Sequence, residues 1–302
     1  MTKKKLTQDG FHVVELLIVI VVLAAIGFVG YKVLGSKANK DGKSGQNSAD
    51  VKWAYNEKDN KWFVENGKAP DCKSPYTFEN SPVDLSLVNV IAMPGSYRGF
   101  SYKPHGAFRA DGTPSGDITV KMPTDATLVG LTRYYEGNPS TLQYLLTFET
   151  DCGIAFRFDH LYTLTPAFQK VADTTPQPKK DDTRTDPNIK FERTKFKAGD
   201  VVATKVGFPA NQNIGFDFGV YDYRQPNEIS KNSDWAKLHN QYQSLEWFGV
   251  CWFDMLPGAD AAKANQLSLV VLNPAKPKIV SDYCTNAPYK TLDINGGQPT
   301  DG

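Results

Sequence analysis

Few side chains in this chain of 302 residues combine types and spacings that could do chemistry. Glu15 is the first. It is a lone carboxylate inside GFHVVELLIVIVVLAAIGFVGYKVL, residues 10–34. A charge within such an apolar run is expensive and takes a partner. Were the chain cut after Gly10, Glu15 would become the fifth residue, and the new α-amino group of Phe11 on a neighbouring helix could meet it. Opposite charges satisfying each other in lipid would favour side-by-side assembly in a fixed register. The second set is Cys72, Cys152, Cys251 and Cys284. Their even number and the lack of Cys-x-x-Cys spacing point to two disulfides rather than a zinc knot. Three pairings are possible. Cys251 with Cys284, leaving Cys72 with Cys152, is preferred, and buried free thiols are the alternative. No Gly-rich phosphate loop and no Gly-x-Ser-x-Gly elbow occurs.

Elements must position these groups. From Val13 to Leu34 the chain is apolar apart from Glu15 and Lys32, the length a helix needs to cross a hydrocarbon core of about 30 Å. Lys3, Lys4 and Lys5 precede it and keep that flank cytoplasmic, so the chain beyond Leu34 is expected outside the cytoplasmic membrane. Residues 36–50, SKANKDGKSGQNSAD, have the composition of a flexible tether. The expected order is a leader (1–10), a transmembrane helix (11–35), a linker (36–50) and an extracytoplasmic head.

The basic leader, Gly10, Phe11, Glu15 and the apolar run resemble the N-terminus of type IV pilins and pseudopilins. The resemblance covers about 25 residues. It implies cleavage after Gly10 by a prepilin peptidase, N-methylation of Phe11, and insertion beside other pilin-like subunits into a pilus or secretion assembly. Pilin helices usually continue as an amphipathic half under the head. Here Gly35 ends the periodicity, so the head would hang on a tether. The alternative is an uncleaved signal anchor.

Lys plus Arg number 34 and Asp plus Glu 33, so no basic face points to a nucleic-acid partner. Aromatic residues at 12 %, with plentiful Gly and Pro, favour a β-rich head. Three parts are expected, an N-terminal β region (51–97), a central β region (98–223) and a small α/β extension (224–302). Residues 51–66 read as a hairpin turning at Glu57 to Asn60, with Trp53, Tyr55, Trp62 and Val64 on its apolar face. Further strands are predicted over 85–91, 117–122, 127–135, 141–150, 153–161, 200–208, 213–223 and 269–272. Helices are predicted over 233–245 and 260–267, a solvated loop over 173–186, and a disordered end over the last ten residues. Short strands separated by turns indicate an antiparallel sandwich or barrel. Phe156, Phe158 and Phe168 are expected inside. Trp252 and Phe253 beside Asp254 read as core packing. Tyr134, Tyr135 and Tyr144 are candidates for a sugar-stacking platform.

Within the central region, several pieces resemble lysostaphin-type (LytM-like) zinc endopeptidases, which cut peptidoglycan cross-bridges. Lys103 to Phe108 resembles the first His-Gly motif, with His105 as its histidine. Residues 117–124, DITVKMPT, are similar to the strand that follows, and Gly153 to Leu161 to the strand ending in Tyr-x-His-Leu, with His160 in place. Phe196 to Ala203 matches the Gly-Asp turn, and residues 214–220, IGFDFGV, stand where the family has His-x-His-Phe-Glu. The resemblance spans about 125 residues and implies a barrel-sandwich. The family's metal-ligand Asp, four residues after its His, falls here on Arg109, with Asp111 near; the closing His-x-His falls on Gly215 and Asp217. The resemblance would therefore build a zinc site from His105, Asp111 and Asp217, with His160 as helper. Of the remaining histidines, His12 lies in the apolar run and His239 in an expected helix outside the barrel.

The leading expectation is a pilin-like membrane subunit whose degenerate lysostaphin-like head binds, without a cofactor and without cutting, a partner such as peptidoglycan or a surface glycan. The alternative, from another class, is an anchored zinc endopeptidase using His160 and Asp217 on a metal held by His105, Asp111 and Asp217.

Overall fold

The computed structural model describes residues 51–98, 101–179, 190–240, 242–272, 281–284 and 290–293. The predicted leader, membrane helix and linker, with Gly10, Phe11, His12 and Glu15, lie outside them, as does the final segment. The described residues all belong to one compact unit.

The head is mainly β, with a large, mostly antiparallel sheet and small C-terminal helices. Hairpin β1 (Trp53–Asn56) and β2 (Lys61–Val64) turns where the sequence predicts, pairing Trp53 with Val64 and Asn56 with Lys61. β3 (Val90–Ala92) follows, then a second small hairpin, β4 (Ser96–Arg98) with β5 (Ser101–Lys103). β6 (Gly106–Arg109), β7 (Val120–Lys121), β8 (Ala126–Glu136), β9 (Thr141–Glu149) and β10 (Ile154–Leu164) lead into helix α1 (Pro166–Ala172). β11 (Thr194–Phe196), β12 (Val201–Val206) and β13 (Gly215–Asp222) complete the central region. Helices α2 (Ser233–Leu238), α3 (Gln243–Glu246) and α4 (Asp260–Leu267) and strands β14 (Ser268–Leu272) and β15 (Lys290–Asp293) follow.

Eleven strands share one sheet, in the order β11-β8-β9-β10-β13-β6-β3-β14-β15, with β12 beside β10 and β7 beside β12. Strands from all three expected parts thus meet in one sheet. Its ends, β11 and β15, do not pair with each other, so the expected closed barrel is not found among the described strands.

The long strands follow the alternation seen in sequence. Phe148, Phe156, Phe158, Phe216 and Phe218 are buried in one cluster with Trp252, and Phe168 of α1 stacks on Phe196 at 3.9 Å. Burying each such ring contributes about 1.5–3 kcal/mol. A second, smaller core holds Ala155, Tyr221, Tyr223 and Phe248, against which Trp53, Tyr55 and Trp62 of the first hairpin pack. Trp62 lies flat on Tyr223 at 3.6 Å. Two disulfides, Cys72–Cys152 and Cys251–Cys284, tie the periphery to this frame in the preferred pairing.

Several expectations are corrected. The strand predicted over 85–91 is confined to β3, because Asp84 accepts the Ser86 N–H at 2.8 Å and holds a turn there. The strand over 117–122 shrinks to β7, as Gly116 at φ +70° bends the chain before it. The helix over 233–245 breaks at His239, whose φ of −109° and ψ of 47° end α2. The loop from Asp173 begins right after α1, a helix that sequence reading missed although Pro166 stands at its first turn. Tyr134 and Tyr144 are 0 % and 5 % exposed, so they offer no stacking platform. Trp252 and Phe253 are core residues, while Asp254 is exposed.

Candidate functional site

β10 and β13 run side by side with Asp159 opposite Asp217, Arg157 opposite Gly219 and Ala155 opposite Tyr221. Side chains alternate along a strand, so Phe156 and Phe158 enter the core while Arg157 and Asp159 stand on the other face. β13 does the same, with Phe216, Phe218 and Val220 inward and Asp217, Gly219 and Tyr221 opposite. Like charges directly across a strand pair repel, and Asp159 opposite Asp217 is such a pair.

A bulge adds a histidine to this face. The β9–β10 register shifts between Phe158 and Leu161, and His160 takes φ +59°. A positive φ on a residue other than glycine is uncommon, and bulges re-aim side chains at functional sites. Here the bulge lets consecutive residues, Asp159 and His160, point to the same place. The His160 N–H donates to Asp159 Oδ1 at 2.9 Å, and the Gly207 N–H donates to the His160 carbonyl at 2.8 Å. Phe208 packs against the imidazole with ring centres 5.3 Å apart.

The cluster is tightly bonded. Arg157 Nη2 donates to Asp159 Oδ2 at 2.9 Å. The Tyr134 hydroxyl donates to Asp159 Oδ1 and lies 3.2 Å from His160 Nδ1. His160 Nε2 is 3.8 Å from Asp217 Oδ2, and His105 Nε2 is 2.8 Å from the same oxygen. Glu136 Oε2 approaches His160 Nδ1 at 3.7 Å. Side-chain exposure is 1 % for Asp159, 8 % for His105, 14 % for His160, 16 % for Asp217 and 29 % for Glu136, so the cluster is largely buried. Gly219 makes room. A Cβ there would fall 2.6 Å from the Tyr221 hydroxyl and 2.8 Å from His105 Cβ.

The electrostatics follow from this packing. Burial disfavours the charged Arg157 guanidinium, but Tyr221, Asp159, Asp217 and Tyr134 outweigh it and hold its pKa above the ordinary value. Burial pushes the Tyr221 phenol up to about 12; Asp217, Asp159 and Glu246 add to this, and Arg157 opposes it.

Of the residues singled out from sequence, His105, His160 and Asp217 come together. Asp111 does not join them, because its carboxylate accepts from Arg109 Nη2 at 2.8 Å. Arg109 also bonds Asn213 and lies across from Gly215. His239 is buried elsewhere, stacked on Trp235 at 3.9 Å, with Nδ1 3.0 Å from Glu246 Oε2. The zinc set His105, Asp111 and Asp217 therefore does not fit. The Asp111 carboxylate is engaged by the Arg109 guanidinium, which also bonds Asn213. Sequence reading missed Asp159, Arg157, Tyr134 and Glu136 as members of the cluster. The available signal was the pair of charges alternating with Phe156 and Phe158 just before His160.

Against protein-family models, curated proteins and solved structures, the chain matches none.

Proposed function

We propose that this chain is a pilin-like membrane subunit that presents an extracytoplasmic binding head within a type IV pilus-like or secretion assembly. The N-terminal stretch carries the reading, since Gly10 and Phe11 open an apolar run with Glu15 inside it, the pattern of a processing and assembly signal. The two disulfides support it, because such bonds persist where the environment is oxidising. Prepilin peptidase and other pilin-like subunits are the partners of the stem; peptidoglycan or a surface glycan is the partner class of the head.

The head is read as a degenerate relative of the lysostaphin-type barrel-sandwich. In support, His105, His160 and Asp217, drawn from motifs far apart in sequence, meet within one cluster. Catalysis is not part of this reading, since Arg109 takes the place of a metal ligand and is tied to Asp111 and Asn213.

Glu15→Ala is the direct test. The variant is expected to insert in the membrane and to lose co-assembly with filament or pseudopilus components, scored by co-purification. Normal assembly of Glu15→Ala would overturn the proposal, as would mass spectra showing an intact leader in cells.

A further inference from the structure

The two ring nitrogens of His160 have unlike neighbours. The Tyr134 hydroxyl gives its proton to Asp159 Oδ1 and stands 3.2 Å from His160 Nδ1. Its oxygen can then only accept, so Nδ1 must carry the imidazole hydrogen. In the neutral ring, Nε2 is left with a lone pair. That lone pair faces Asp217 Oδ2 across 3.8 Å, too long for a hydrogen bond. The separation leaves room for a cation between the two atoms.

The spacing suits a metal ion. Two ligands each about 2.1 Å from a tetrahedral metal stand about 3.4 Å apart, a few tenths of an ångström inside the distance seen. Asp159, His160 and Asp217 each offer a ligand atom, and these atoms all lie within 4.8 Å of one another. The Asp159 carboxylate is held by Tyr134, the His160 N–H and Arg157. The surroundings also match those of metal-bound groups, where a ligating histidine gives its other ring nitrogen to a hydrogen bond and a ligating carboxylate is itself held in place. Tyr134 does the first, and Arg157 and His105 do the second for Asp159 and Asp217.

We propose that Asp159, His160 and Asp217 form a site for a divalent first-row metal ion, bridging the β10 bulge to β13. Imidazole with two carboxylates suits zinc, cobalt, iron or manganese. This set is not the one the lysostaphin resemblance implies. It lies between β10 and β13 rather than between β6 and β13, excludes Asp111, and takes His160 as a ligand. It offsets the repulsion between Asp159 and Asp217, and it does not depend on how the head is anchored.

The test uses the full chain in detergent micelles, stripped with chelator and titrated with Co2+ alone. Visible absorption reports the ligand field, and competition with Zn2+ reports affinity. One Co2+ per chain is expected, displaced by Zn2+. His160→Asn, chosen because asparagine tolerates positive φ, should weaken binding at least about tenfold. Asp217→Asn, nearly isosteric, should do the same if His160→Asn fails to fold. Asp111→Asn should bind as wild type. The proposal is overturned if the wild-type chain shows no saturable site, or if binding survives in a folded His160→Asn or Asp217→Asn. Loss in Asp111→Asn with retention in His160→Asn would also overturn it and would move the metal to the other ligand set. Co-assembly of Glu15→Ala is scored separately, so failure of either proposal is recognisable by itself.

Discussion

β10 and β13 present two opposite faces made from alternate residues of the same strands. On one, Phe156, Phe158, Phe216 and Phe218 interlock with ring centres 5.4–6.3 Å apart. On the other, Arg157, Asp159, Asp217 and Tyr221 stand around Gly219 with His105 and His160. The apolar face is held by area removed from water, which is non-directional and tolerant of small shifts. The polar face is held by paired charges in fixed geometry, and each member is costly to leave alone. One pair of strands therefore carries both the stability of the head and its most specific chemistry, and the bulge at His160 lies where they meet.

This contrast can be pressed with single substitutions. The largest effect is expected on the apolar face, where Phe158→Ala leaves a cavity beneath Phe148 and Phe218 and should cost about 3–5 kcal/mol in urea unfolding. A loss near 1 kcal/mol would mean that the core collapses around the gap and is less interlocked than argued. Next comes Arg157→Met, which keeps the stem but leaves Asp159 without its guanidinium. About 3 kcal/mol should be lost, and the loss should shrink at acid pH as the stranded carboxylate takes up a proton. A pH-independent cost would show that Arg157 matters for packing rather than charge. The smallest effect is expected from Tyr221→Phe. Its hydroxyl is buried without a hydrogen-bond partner, so stability should change by less than about 1 kcal/mol. A large loss there would reveal that the phenol, not only Asp159, anchors Arg157.

Much of the frame was legible in the residues. The runs from Thr127 to Thr150 and from Gly153 to Leu161 alternate clearly, and they became β8, β9 and β10. Sheet pairing extended β10 three residues further, to Leu164, because β12 offers its edge there, pairing Val206 with Leu161 and Ala203 with Leu164. Strand predictions failed where a side chain competes for the backbone, as Asp84 does, or where a glycine turns it, as at Gly116. His105, His160 and Asp217 stood out as motif residues. Their neighbour Asp159 did not, because a carboxylate on a strand reads as solvent-facing until its partner strand is known.

By itself the sequence determined local periodicity and therefore which residues of each strand share a face. It also determined the even cysteine set and the abrupt apolar run behind Gly10, because these depend on residues close together in the chain. Only the tertiary structure decided that Asp159 lies opposite Asp217, that Asp111 belongs to Arg109, that Tyr134 is buried against His160, and that the described strands leave the sheet open. Except for the Asp111–Arg109 pair, two residues apart in one turn, each of these is set by register between segments distant in sequence. A one-residue slip exchanges the faces of a strand, and a bulge does so locally, as it does at His160.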